Sequence, residues 1–265
     1  MNPARSLLAL ALVAALAGCM SKSEDDSTAT ATAPGDDAMA SDAAMSGDAA
    51  MAADDNMGSD AMAGDAMMGA DLAPARYQIT FSSRWTENDH PLEYPGPKFA
   101  GLSVAHFSPI IGASHKPGFA LFAEGTAPSA GLESLSETGK HVPLDAEINT
   151  AMTLGTVLSL VESAEPLKDH GKTLMAEVPV DGMHPQVSLV AMIAPSPDWF
   201  AGVKDVNLVE NGQWVAEKTV DLLPYDSGGD EGTTYRADDA DNDPKKPTSS
   251  LAGNPHFTVN GQLLP

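Results

Sequence analysis

The chain has 265 residues, a formal net charge of −23 and a single cysteine. This excess of acidic side chains argues against nucleic acids, heparin-like polymers and anionic lipid head groups as partners. The composition is uneven, because residues 1–72 carry a net charge of −10 and no aromatic residue. Residues 73–265, with a net charge of −13, contain every aromatic side chain and are long enough to bury a core.

The N-terminus has the pattern of an export signal. Arg5 precedes the apolar run 7–16, which is too short to span a bilayer. The run ends in Leu-Ala-Gly-Cys19, which resembles the bacterial lipobox, in which the signal is cut before the cysteine and the thiol receives a diacylglycerol. We therefore predict a signal peptide over 1–18 and a membrane anchor through lipid on Cys19. An ordinary signal peptide followed by a chance cysteine is the alternative.

The residues after Cys19 bear on the destination and on stability. Met20 and Ser21 follow it, and the absence of an aspartate there favours an outer-membrane lipoprotein, facing the periplasm or the cell surface. If Cys19 carries lipid, no thiol remains for a disulfide in a compartment that permits disulfides. We therefore expect an element other than a disulfide to stabilise the folded domain.

Residues 19–72 are dominated by Ala, Asp, Met, Gly, Ser and Thr, with loose repeats. Their low hydrophobicity and nearly uniform charge predict a disordered tether between the membrane and the domain. Seven methionines lie between Met39 and Met68, and thioethers are soft ligands for Cu(I), so a metal-handling lipoprotein is one hypothesis. The intervening Asp and Ala residues, with no histidine, favour a plain spacer.

The folded part, 73–265, begins with a pattern of strands. Residues 77–85 alternate large apolar and small polar side chains, which predicts a half-buried strand. Residues 99–122 mix short apolar runs with Pro and Gly, as strands joined by tight loops do. Two short helices should follow. Ser129 caps the first, which stops at Gly139, and the second runs from Leu144 to Met152 after Pro143.

The rest of the chain returns to the strand pattern. We predict strands at 173–180, 187–193 and 213–223, an edge piece at 257–261, and an exposed acidic loop at 237–246. Many short strands with Gly and Pro turns and little helix predict an all-β sandwich with short helical insertions.

Three aspartates flank one strand-like run that starts at residue 199. Asp198 ends the turn-rich segment before it, and Asp226 and Asp230 lie in a glycine-rich segment after it. We expect the three to converge at one edge of a sheet, where their hard oxygens suit calcium. Glu124 and Glu231 are further candidate ligands. The alternative is that Asp198 caps a turn and the other two satisfy loop amides.

At this point residues 75–251 resemble the spondin N-terminal domain family of F-spondin and mindin. The motifs that carry the resemblance are Trp85-Thr86 with His90-Pro91 and Tyr94-Pro95, residues 106–115, Ala123-Glu-Gly, residues 195–199, Trp214-Val and residues 221–235. The resemblance implies a C2-like antiparallel β-sandwich and calcium ligands at Asp198, Asp226 and Asp230. Animal members carry a cysteine pair where this chain has residues 206–213 and no cysteine, so packing must hold that loop here.

No catalytic arrangement is evident. Ser114-His115 lacks a nucleophile-elbow context, and His106 and His115 are spaced unlike a zinc pair, so we interpret them as structural. The three tryptophans are interpreted as core and loop anchors. We therefore predict no enzyme activity, and a lipid-anchored, calcium-binding module for binding or adhesion at the cell surface, with a protein or glycan partner and no nucleic acid. A periplasmic or surface hydrolase is the alternative, beside the metal-handling lipoprotein.

Overall fold

The computed structural model describes residues 10–14, 71–96, 105–168 and 171–264. Cys19 and the methionines of the tether lie outside the described residues, so lipidation and copper binding stay predictions. Among the helices of the described part, none combines the length and apolarity needed to cross a bilayer.

The chain forms fifteen strands and two helices within these residues. In chain order the strands are β1 (Leu10–Ala14), β2 (Ala75–Ser82), β3 (His106–Phe107), β4 (Ile111–His115), β5 (Val157–Glu162), β6 (Thr173–Val180), β7 (Gln186–Ala194), β8 (Trp199–Asn207), β9 (Val209–Glu210), β10 (Gln213–Trp214), β11 (Glu217–Val220), β12 (Leu223–Asp226), β13 (Ser249–Ser250), β14 (Thr258–Val259) and β15 (Gln262–Leu263). The helices are α1 (Ala130–Thr138) and α2 (Leu144–Thr153).

Two antiparallel sheets make the sandwich. The first has the order β11-β1-β2-β6, and the second the order β13-β12-β8-β7-β4-β5, with β3 paired to β7 beside that path. The remaining four strands form two separate hairpins, β9-β10 and β14-β15. The predicted all-β, C2-like antiparallel sandwich with short helical insertions is therefore confirmed.

The main core lies between the two sheets. The alternation in β2 places Tyr77, Ile79 and Phe81 in it with no exposed surface, as predicted. A second core lies on the other face of the second sheet, where Phe200 and Val190 pack with residues of α1 and α2. The central strand β7 is covered on both faces, which is why residues 187–194 are buried without a break.

The two helices begin and end where the sequence predicts. The Ser129 side chain accepts a hydrogen bond from the Leu132 N–H at 3.1 Å, and Gly139 ends α1 with a φ of 69°. Pro143 immediately precedes α2. These local signals are reliable because capping depends on residues within one turn.

The predicted single strand at 213–223 is wrong in detail. The segment divides into β10, β11 and the start of β12, and the run beginning at residue 199 contains β8 and β9 as well. Asn211 and Gly212 separate β9 from β10, because both have positive φ values, 52° and 73°, and form the turn of this hairpin. This hairpin, with Leu208 and Val209 buried, holds the segment without a disulfide.

Candidate metal centre

The register of β8 and β12 brings two of the three predicted aspartates to one sheet end. Asp226 lies directly opposite Trp199 in this antiparallel pair, so Asp198, one residue earlier, is adjacent to it. The Ser227 N–H also donates to the Asp198 backbone carbonyl at 3.2 Å. The ladder therefore fixes where the glycine-rich segment 226–232 starts relative to Asp198.

The Asp198 carboxylate is fully buried, and its two oxygens have different environments. Four donors converge on Oδ2: the Ser227 hydroxyl at 2.9 Å and the N–H groups of Gly228, Gly229 and Asp230 at 2.8, 2.7 and 3.1 Å. Oδ1 is buried without a hydrogen-bond partner. A buried carboxylate held at one oxygen leaves the other as a ready ligand atom for a cation.

Two glycines allow this arrangement. Gly228 has a φ of +90°, and a Cβ there would lie 2.1 Å from the Lys246 carbonyl oxygen. A Cβ on Gly229 would lie 2.6 Å from Glu137 Oε1. The segment can wrap around Asp198 only because neither residue has a side chain.

Asp226 adds a second carboxylate next to the first. Its Oδ1 accepts a hydrogen bond from the Gly228 N–H at 2.9 Å. Burial, followed by the negative charge of Asp198, raises the pKa of Asp226 to about 6. Burial also raises the pKa of Asp198. Burial is the largest cause of both shifts, and at Asp226 the positive charge of Lys246 opposes the shift without cancelling it.

Asp230 joins the site through its backbone and directs its carboxylate oxygens to other partners. Oδ1 accepts from the Gly232 N–H and Oδ2 from the Ala240 N–H, both at 2.6 Å. Oxygens of Asp230, Asp239 and Asp241 lie within 4.8 Å of one another, the one such acidic group found in the described ranges. The structure thus pairs Asp198 with Asp226, and pairs the carboxylate of Asp230 with two acids that the sequence did not predict.

The acidic loop 237–246 makes contacts with the glycine-rich segment that the sequence did not predict. Asp239 and Asp241 are exposed, but Asn242 is only 4 % exposed and its side chain donates to the Gly228 carbonyl at 3.1 Å. The Lys246 N–H donates to the same carbonyl at 2.9 Å. Most of the loop is exposed, as predicted, but these bonds also satisfy glycine-loop carbonyls that would otherwise be buried alone.

Helix α1 brings further charge to the same end of the domain. Burial, followed by repulsion from Glu133, raises the pKa of Glu137 to about 7, and its Oε1 is buried without a hydrogen-bond partner. Lys245 Nζ lies 2.6 Å from Glu133 Oε1 and joins the loop to the helix. No sequence motif marks this approach, since it depends on how α1 packs.

The additional ligand candidates lie elsewhere. Glu124 is exposed and lies 3.8 Å from Lys204, and Glu231 is exposed and lies 3.1 Å from Lys246. Neither carboxylate is among the hydrogen-bond partners recorded for Asp198, Asp226 or Asp230 in the described part of the chain. The structure gives these two glutamates ion pairs with lysines.

His115 has a structural environment, as the sequence indicated. It is fully buried, with Nδ1 2.8 Å from the Lys116 carbonyl and Nε2 2.7 Å from the Ser188 hydroxyl. Because the carbonyl only accepts, Nδ1 carries the proton and Nε2 accepts from Ser188. The adjacent Ser114 has no exposed surface, which is unlike a nucleophile that meets substrate. His106 precedes Phe107 in β3 and pairs in register with Ala194.

Two of the tryptophans are core anchors. Trp85 and Trp199 are 3 % and 0 % exposed, and both pack against the ring of Tyr235. Trp214 is half-buried and its Nε1 donates to the Ala73 carbonyl at 2.8 Å. Trp199 and Tyr235, on either side of the aspartates along the chain, thus belong to one aromatic cluster.

Comparison with known sequences identifies the family. A sequence model described as Spondin_N matches residues 75–258. The chain belongs to the Spondin_N family. It is 31 % identical to spondin-2 of Rattus norvegicus over 192 residues, which cover 72 % of this chain and 57 % of that protein. It is also 31 % identical to spondin-1 of Xenopus laevis over 201 residues, covering 72 % and 24 %.

The spondin-type domain accounts for only part of these relatives. The matched region spans about half of spondin-2 and about a quarter of spondin-1. The family assignment therefore establishes a spondin-type module over 75–258. The activities and partners of the whole relatives are not carried over with it.

Proposed function

We propose that this chain is a lipid-anchored extracytoplasmic protein whose spondin-type domain binds calcium through Asp198, Asp226 and Asp230. The observation that carries the proposal is the Asp198 carboxylate, which has four donors on Oδ2 and a buried, unpartnered Oδ1. Burying such a group is costly unless a further partner arrives. A cation at Oδ1 would supply that partner.

The donor set suits calcium better than softer metals. Calcium takes six to eight oxygens from carboxylates, backbone carbonyls and water. Asp198 Oδ1 and the neighbouring Asp226 carboxylate fit this chemistry directly. Asp230 would exchange its hydrogen bonds with Gly232 and Ala240 for the ion, with Asp239 and Asp241 beside it. Bound there, the ion would neutralise adjacent carboxylates and fix the glycine-rich segment to the sheet end.

The domain's role follows from its family and its surface. A spondin-type sandwich with an acidic exterior supports a function in binding or adhesion, with a protein or glycan partner and no nucleic acid. The predicted signal peptide and Cys19 support a location outside the cytoplasm, on an outer-membrane lipid anchor. Calcium would stabilise the domain in place of a disulfide, which a chain with a single cysteine cannot form internally.

Calorimetry tests the metal assignment. Calcium is titrated into the processed chain after chelator treatment, beside Asp226→Asn and the matched control Asp145→Asn, which changes a half-buried aspartate in the first turn of α2. We expect heat from calcium binding in the wild type and the control, and at least a tenfold weaker affinity in Asp226→Asn. Wild-type protein that releases no binding heat up to millimolar calcium contradicts the assignment.

A second experiment tests the anchor. Cys19→Ser should release the protein from the membrane fraction, because the lipid has no other attachment point in this sequence. Protease treatment of intact cells then distinguishes the two orientations, since only a surface-facing domain is digested. A Cys19→Ser protein that stays in the membrane fraction would rule out this mode of attachment.

A further inference from the structure

One strand of the first sheet comes from the predicted signal peptide. Strand β1, Leu10–Ala14, lies between β2 and β11 and pairs antiparallel with both. Leu10 is in register with Phe81 on one side and Val220 on the other. Among the described residues, β1 is the strand that connects β11 to the rest of this sheet.

Removal of the signal peptide would therefore leave a gap in the sheet. This step rests on the proposed function, which requires cleavage before Cys19. Neighbouring strands lie about 4.8 Å apart, so β2 and β11 on either side of a missing strand stand about 10 Å apart, too far to bond directly. Backbone N–H and C=O groups on both sides of the gap would then lack the partners that β1 supplies.

We propose that the gap between β2 and β11 in the processed protein is an acceptor site for an extended strand of a partner polypeptide. Backbone hydrogen bonds to two flanking strands would provide the affinity, and the alternating side chains would provide the specificity. This assigns a binding surface to the module and a chemical class to its partner.

The register defines the strand that fits. Positions 10, 12 and 14 lie opposite Phe81, Ile79 and Tyr77, each fully buried in the main core. An incoming strand therefore needs apolar residues at alternate positions. The intervening positions lie opposite Gln78 and Thr80, which are exposed and half-buried, so polar residues are accepted there.

The chain's own tether is a poor occupant. Residues 20–71 contain no Val, Ile, Leu, Phe, Tyr or Trp, and they are rich in Ala, Gly and Asp, which are depleted in strands. They carry a net charge of −11, and the domain that they would have to dock on carries −13. Like charge opposes that docking, whereas a neutral or basic partner strand meets no such repulsion.

Amide hydrogen exchange tests the site on the processed chain, residues 19–265 with Cys19→Ser, and on the full precursor. The probe is a synthetic peptide of residues 8–16 with two lysines added at each end. We expect fast exchange in 217–220 of the processed chain and slow exchange in the precursor. A peptide concentration one hundred times its Kd should slow exchange in 217–220 about a hundredfold.

Matched variants separate the gap from general stability. A peptide with Leu12→Pro should give no protection, since proline removes a ladder N–H. In the protein, Val220→Asp changes a half-buried residue opposite position 10, and Thr219→Asp changes an exposed residue of the same strand. We expect peptide affinity to fall at least tenfold in Val220→Asp and less than threefold in Thr219→Asp, with unchanged protection of β6 in both.

Two exchange results overturn the proposal directly, and a mass measurement overturns it through the processing step. If residues 217–220 of the processed chain exchange as slowly without peptide as they do in the precursor, there is no open gap. If the peptide binds but does not slow exchange in β11, it binds at another surface. The mass of the protein purified from its native membrane shows whether residues 1–18 have been removed. Retention of residues 1–18 would mean that cleavage fails, and the inference then falls with the proposed processing, independently of calcium binding by the domain.

Discussion

Asp198 and Asp226 accept hydrogen bonds from the same backbone N–H, that of Gly228, at 2.8 and 2.9 Å. The two carboxylates come from different segments, Asp198 from the turn before β8 and Asp226 from the last residue of β12. Their shared donor shows how closely the fold brings two negative charges together. The same geometry makes the conformation of Gly228 critical to the site.

Gly228→Ala should destabilise the domain more than Gly125→Ala does. Both residues have positive φ, +90° and +82°, so both variants carry a conformational cost of about 1–2 kcal/mol. Only at Gly228 would the new Cβ meet backbone, 2.1 Å from the Lys246 carbonyl oxygen, whereas Gly125 has nothing within 4 Å. Urea unfolding should show a further loss of about 2 kcal/mol for Gly228→Ala. Equal losses would mean that the glycine loop adapts freely.

Ser227→Ala should also destabilise the domain. The Ser227 hydroxyl donates to Asp198 Oδ2 and accepts from the Ser136 hydroxyl of α1, both at 2.9 Å. Removing a buried hydrogen bond to a charged group costs about 1.5–3 kcal/mol. Ser249→Ala, at an exposed position of β13, is the control and should change the free energy of unfolding by less than about 0.5 kcal/mol. Similar values for the two variants would show that this bond contributes little.

Acid should weaken the fold through His115. Burial lowers the pKa of His115, an effect that the Lys116 carbonyl and Asp205 oppose and His184 reinforces. The unfolded chain, with a histidine pKa of about 6.5, then binds more protons, so the free energy of unfolding falls as pH drops below that value. The loss levels off below the folded-state pKa.

Urea unfolding between pH 8 and pH 5 measures this contribution. His115→Gln retains a polar side chain that can bond Ser188 or Lys116 but does not titrate, so the pH dependence of its unfolding free energy should be shallower than that of the wild type. A lower unfolding free energy of the variant at pH 8 does not affect the comparison, because only the slope reports the titration. Parallel slopes for the two proteins would exclude His115 as a source of acid sensitivity.

Local signals in the sequence predict much of the fold. The alternation around Tyr77 identifies β2, because a period of two directly reports which residues face the core. Ser129 and Gly139 identify α1 through its caps. The Asn211-Gly212 turn is equally readable as a hairpin signal, but the strand pattern of 213–223 does not show that β10 pairs back with β9 across it.

The site was predictable where it depends on strand pairing and not where it depends on tertiary packing. Asp198 and Asp226 meet because β8 and β12 are antiparallel neighbours. The approach of Asp239 and Asp241 to Asp230 requires the loop 237–246 to fold back onto the glycine segment. No periodicity encodes that return, since hydrogen bonds between loops leave no repeating pattern in the sequence.

The apolar run 7–16 has the pattern of an export signal, and in the structure its residues 10–14 also pair as a strand. A short apolar run satisfies both patterns, because signal peptides and buried strands have similar lengths and compositions. If the signal peptide is cleaved, residues 10–14 leave the protein; if it is retained, they remain as β1.

Thermal unfolding of the processed chain, with calcium or with chelator, tests the central claim most directly. Calcium at one hundred times its Kd should add about 2.7 kcal/mol to the free energy of unfolding and raise the Tm by about 5–10 °C. Asp198→Asn, which removes the charge of the carboxylate whose Oδ1 is unpartnered, should abolish that increment, and Asp145→Asn should keep it. A wild-type Tm that is the same in calcium and in chelator would contradict the account.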